Sequence, residues 1–171
     1  FPWMNTLLIL PCVSIFIYEL TLDNGQLANF FYQYGMVPER VVRSLALEQY
    51  GGAFTSAITA IFLHGGWLHL IGNMLFLWVF GDNIEDMLGS FGYLVFFLLV
   101  GVMANLSHAF AASTSSLPTV GASGAVAGVL GAYLISFPRS KVLTLLFLGI
   151  LVTLVEIPVI FFLLYWFFLQ L

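Results

Sequence analysis

Charge is what this sequence has least of: only 7% of its residues are Asp, Glu, Lys or Arg, against about 25% in soluble domains. That excludes an ordinary water-soluble globule. Four Lys and Arg stand against eight Asp and Glu, too few cations for the basic footprint that nucleic-acid binding needs. The one cysteine, Cys12, excludes an internal disulfide, and its apolar neighbours read as those of a packed thiol. Neither a metal-binding cluster nor a cofactor motif occurs, so the expected chemistry uses no metal and no cofactor. The first apolar run lacks a basic stretch before it and a clear cleavage site after it, which argues for a membrane span over a signal peptide. Because the sequence opens on Phe1 rather than methionine, a cut or processed N-terminus is expected.

What is abundant is apolar surface: 61% hydrophobic and 17% aromatic residues, the composition of a polytopic, all-α membrane protein in a lipid bilayer. A span needs about 20 apolar residues. Candidates run from Trp3 to Leu20, from Trp67 to Val79 or Ile84, from Phe91 to Ala112, and from Ser123 to just before Pro138. Between the first two, residues 21–66 form a long mixed segment with Asp23, Glu39, Arg40, Arg43 and Glu48, in which 37–50 has the spacing of an interfacial helix. Asp82, Asn83, Glu85 and Asp86 are expected to mark the polar exit of the second span, with Glu85 and Asp86 solvated or paired to the basic 139–141 loop. Residues 142–171 allow one strongly tilted helix. The preferred alternative is an interfacial or re-entrant stretch over 142–157, with Pro158 in the first turn of a fifth helix. Glu156 then sits near that helix N-terminus. Arg139 and Lys141 in a short connection place that loop in the cytoplasm, so Ser123 faces the other side.

Gly121-Ala-Ser123-Gly124 opens the fourth span. Flanking glycines admit close approach of backbone or substrate, and a helix N-terminus favours developing negative charge, which are conditions an acyl-transferring serine needs. From Ser123 to Phe137 a helix rises only about 21 Å against a hydrocarbon core of about 30 Å, so the serine is expected below the membrane surface. Gly121, Gly124, Gly128 and Gly131 give a small-xxx-small face for close helix contact. His69 and Asn73, four residues apart, share a helix face and form candidate side-chain donors of an oxyanion hole, with the Ser123 amide as a further donor. Equally, they can fix the preceding loop by hydrogen bonds. His64, before Gly65-Gly66, reads as a structural hydrogen-bonding residue in that loop, and His108 as interfacial.

With His64-Gly-Gly-Trp-Leu-His69-Leu-Ile-Gly-Asn73, Gly81-Asp-Asn-Ile-Glu85-Asp-Met-Leu-Gly89 and Gly121-Ala-Ser-Gly-Ala-Val-Ala-Gly128 in this order, the chain resembles the rhomboid intramembrane serine proteases over essentially its whole length, 1–171, as a single domain. The resemblance implies a six-helix bundle, about five helices of which are here, with a cavity open to the non-cytoplasmic side. It implies Ser123 as nucleophile, His69 and Asn73 as the oxyanion-stabilising pair, support from His64, Gly121 and Gly124, and transmembrane proteins as substrates. Such proteases pair the serine with a sixth-helix histidine. None of the three histidines here follows Ser123, so the chain by itself is expected to be inactive, with its general base beyond Leu171. Ala127 stands where the family often has an aromatic. The alternative is a non-catalytic relative that binds transmembrane clients and steers their trafficking or degradation. A channel or transporter is disfavoured by the lack of paired half-helices or a charged pathway.

Overall fold

A computed structural model describes residues 3–148 and 151–170. The chain divides into two compact units, Phe1–Val129 and Leu130–Leu171. In the first, α1 (Trp3–Glu19) covers the first expected apolar run. The mixed segment then forms three short helices, α2 (Asn24–Tyr34), α3 (Pro38–Ala46) and α4 (Tyr50–Thr59). Asp23 starts α2 with a capping box, its carboxylate accepting from the Gly25 and Gln26 amides while the Gln26 side chain accepts from the Asp23 amide. The interfacial helix read over 37–50 is α3, entered through Pro38 in its first turn. Met36, Val41, Ala53, Ala60 and Ala109 form a core against which Leu45 and Leu106 pack. A second core joins Cys12, Phe16 and Leu70, with Phe62 and Met74, and within it Cys12 is a packed thiol donating to the Leu8 carbonyl.

From Trp67 the chain runs through α5 (Trp67–Phe76), a π-helical turn at Leu77–Gly81 and α6 (Asp82–Ala111). Among the described residues, Trp67–Ala111 is the one helical stretch long and apolar enough to cross a membrane by length and composition. Its course breaks at Gly89, whose φ of 69° is non-helical and suits glycine. The expected polar exit at 82–86 is therefore helical, and the boundary falls at Gly89 instead. Glu85 is not solvated as expected. It is buried, accepting hydrogen bonds from the Met4 and Asn5 amides at 3.1 and 2.7 Å and from the Ser90 hydroxyl at 2.5 Å. It thus caps the first turn of α1 from 80 residues away in sequence, satisfying two amides that the helix itself cannot. Asn5 extends this junction, donating to the Leu77 carbonyl at 2.8 Å and accepting from the Tyr93 hydroxyl at 2.9 Å.

α7 (Ser123–Ser136) ends before Pro138, as the sequence implies. Its first turns lie against α6 through small residues. A Cβ at Gly124 would come 2.5 Å from the Ala104 Cβ, and one at Gly128 would come 2.5 Å from a Val100 methyl. A Cβ at Gly131 would meet nothing within 4 Å among the described residues.

In the second unit the all-α expectation fails. Residues that were to lie along the interface form an antiparallel hairpin, β1 (Lys141–Leu148) and β2 (Leu151–Pro158), in register from Lys141↔Pro158 to Leu148↔Leu151. Residues 149 and 150 between the strands lie outside the described part. Val142, Thr144, Val152, Thr153, Val155 and Ile157 explain the change, because β-branched side chains favour strands. Glu156 consequently sits on a strand and pairs with Lys141 at 2.9 Å. Both side chains are exposed, so the pair contributes little stability. The final helix, α8 (Val159–Gln170), starts directly after Pro158.

Candidate active site

Ser123 is the first residue of α7, and the turn before it is pinned on three sides. Met36 and Thr119 exchange backbone hydrogen bonds, the Glu39 amide donates to the Ser115 carbonyl, and the Gly121 amide donates to the Ala60 carbonyl at 2.8 Å. Gly121 has φ of 126°, a region L side chains rarely adopt. It has a second reason to be glycine: a Cβ there would stand 2.5 Å from Nε2 of His69 and closer still to Cε1. The His69 imidazole therefore occupies the space that a side chain at Gly121 would need. This contact brings α5 to the turn that leads into the serine, and Ser123 itself remains half-buried rather than sealed.

His64, His69 and Asn73 form one polar group at the start of α5. His64 and His69 meet edge to face with ring centroids 5.2 Å apart. Asn73, buried one turn beyond His69, places its Nδ2 3.2 Å from Nε2 of His64. An amide nitrogen only donates, so Nε2 accepts and the neutral ring carries its proton on Nδ1. Burial, reinforced by the neighbouring His69, pushes the His64 pKa down to about 4, while the Phe62 backbone pulls weakly the other way. His64 is thus a neutral acceptor near pH 7.

The structure brings together His64, His69, Asn73 and Gly121, and sets Gly124, three residues after Gly121, at the α6 contact. It does not bring in His108, which is exposed on α6. One buried neighbour of the group was not singled out in the sequence. Glu19, the last residue of α1, accepts from the His64 amide at 3.3 Å. Its only signal was a carboxylate closing an apolar run, which reads as a span boundary.

Chemically, the arrangement offers a hydroxyl at a helix N-terminus, two residues after the glycine against which the His69 imidazole sits, and N–H donors near such a helix start suit acyl transfer. Residues 51–171 match the profile of the rhomboid domain. Among curated relatives, the chain is 36% identical over 126 residues to the chloroplastic rhomboid-like protein 11 of Arabidopsis thaliana, covering 72% of this chain and 43% of that protein. It is 33% identical over 107 residues to the mitochondrial rhomboid protein 1 of Saccharomyces cerevisiae, covering 60% and 31%. To the rhomboid protease GluP of Bacillus subtilis it is 40% identical over 84 residues, covering 48% and 16%. The chain thus spans less than half the length of these relatives. With a matched domain reaching over most of its length, this chain belongs to the rhomboid family, whose members are integral membrane proteins.

Proposed function

We propose that the protein containing this chain is an intramembrane serine endopeptidase that cleaves transmembrane proteins, with 1–171 forming most of one rhomboid domain. Ser123 attacks the scissile carbonyl. The developing oxyanion is held by His69, Asn73 and the Ser123 amide, while His64, Gly121 and Gly124 hold these groups in place. The proton of Ser123 goes to a histidine carried beyond Leu171, which later protonates the leaving amine, and water then releases the acyl-enzyme. Residues 1–171 alone lack this base after Ser123 and are inactive. The observation that carries the reading is the seat of His69 on Gly121: nothing in helix packing requires an imidazole against the turn before a half-buried serine. The helices around it expose apolar side chains such as Leu68, Phe91 and Ile135, as lipid contact requires. We place Arg139 and Lys141 in the cytoplasm and the serine cavity on the opposite side.

A fluorophosphonate probe tests the nucleophile without knowledge of the substrate. The full-length protein in detergent is expected to take up the probe on the tryptic peptide containing Ser123, and Ser123→Ala to take up none. Equal labelling of both proteins, or of neither, contradicts the nucleophile assignment and favours the non-catalytic client-binding relative.

A further inference from the structure

Two buried side-chain atoms lack a hydrogen-bond partner among the described residues, and they belong to neighbouring groups: Oε2 of Glu19 and Nδ1 of His64. Glu19 is 3% exposed and His64 is 1% exposed, so neither atom has bulk water to turn to. They are chemically complementary. The Asn73 contact leaves the His64 proton on Nδ1, and a carboxylate oxygen only accepts. The other Glu19 oxygen is already bound to the amide of the same His64, which ties the carboxylate to this residue. Nor does Glu19 suit its own helix. It stands at the C-terminus of α1, where the helix dipole disfavours negative charge, and burial adds a desolvation cost. Donors on His64 are what offset both.

We propose that Glu19 is a positioning residue for the oxyanion hole: by accepting the Nδ1–H hydrogen bond of His64 through one bridging solvent molecule, it keeps that proton on Nδ1 and fixes the Nε2 lone pair that holds the Asn73 amide in its donating orientation. The proposal rests on the role assigned above to Asn73. The chain of consequence is short. With Nδ1 protonated, Nε2 can only accept, so the Asn73 nitrogen must face His64. A second N–H on that nitrogen remains for the substrate oxygen. Without the carboxylate, the proton is free to move to Nε2. The ring then donates to the Asn73 oxygen, the amide turns over, and an oxygen faces the place where negative charge develops.

The test is a set of variants of the full-length protein. Glu19→Leu removes the acceptor and is expected to lower kcat by about tenfold with little change in KM, a fraction of the loss from deleting an oxyanion donor outright. Glu19→Gln keeps an acceptor oxygen and is expected to restore most of that loss. In an Asn73→Ala background, Glu19→Leu should cost less than about twofold, because residues acting through one another are not additive. A side chain that only packs would give the same tenfold factor in both backgrounds, and that result overturns the proposal. The tautomer supplies a readout independent of activity. Nitrogen-15 spectra of the labelled histidines should show His64 as the Nδ1–H form in the parent and Glu19→Gln proteins, and as the Nε2–H form in Glu19→Leu. An unchanged tautomer in Glu19→Leu overturns the proposal. The predicted tautomer shift in a parent protein that cleaves nothing leaves the Glu19–His64–Asn73 link standing and overturns the protease reading instead.

Discussion

Gly121→Ala is expected to lower proteolysis by the full-length protein by at least about 100-fold, the scale of loss when catalytic groups are displaced by an ångström or so. Two effects act together. The backbone at φ 126° strains any residue with a Cβ, by roughly 1–3 kcal/mol. The new methyl also falls inside contact distance of the His69 ring, and the ring cannot retreat freely because His64 stands edge to face against it. Overpacking of this kind costs about 1–3 kcal/mol. The imidazole or the turn must shift, and either shift separates His69 from the start of α7. Cleavage assays of matched, folded preparations check this. Near-parental activity in Gly121→Ala would mean that the contact does not position the serine turn.

Glu85→Ala is expected to be the most destabilising of the side-chain truncations, by about 3 kcal/mol or more, since each buried donor left unsatisfied costs roughly 1–3 kcal/mol. The Met4 and Asn5 amides and the Ser90 hydroxyl all lose their acceptor at once. Asn5 is also a hub, linked to Leu77 and Tyr93, so a frayed α1 start loosens the turn before α6 as well. Glu85→Gln keeps one acceptor oxygen and should fall between the two. Denaturant unfolding in detergent, followed by tryptophan fluorescence, measures the difference. An unchanged midpoint in Glu85→Ala would show that the α1 amides find other partners.

Much of the helical framework was legible from apolar run length and from the residues that close each run. Trp3 begins α1, Pro38 opens α3, and Pro138 stops α7 at Ser136. Two features hid for identifiable reasons. Asp82, Asn83, Glu85 and Asp86 look like a solvated exit in one dimension. Only in the fold does Glu85 meet the start of α1, while Asp86 stays exposed. The stretch 142–157 is apolar on every second and every fourth residue alike, so periodicity does not separate strand from helix. Its β-branched content was the better signal. At the site, spacing alone put His69 and Asn73 on one helix face. It carried no information that Gly121, some fifty residues later, would receive the imidazole, because that contact depends on how the 113–122 turn is pinned to Met36, Glu39 and Ala60. Glu19 was hidden for the same reason, being linked to His64 only through space.

The central claim, that Ser123 is the nucleophile of a membrane protease, is tested most directly by reconstituting the full-length protein in liposomes with single-span substrates and comparing it with Ser123→Ala. The account predicts cleavage within or beside the transmembrane segment by the parent protein, and none above background by Ser123→Ala, with the two unfolding alike. Cleavage that survives the loss of the Ser123 hydroxyl would contradict it.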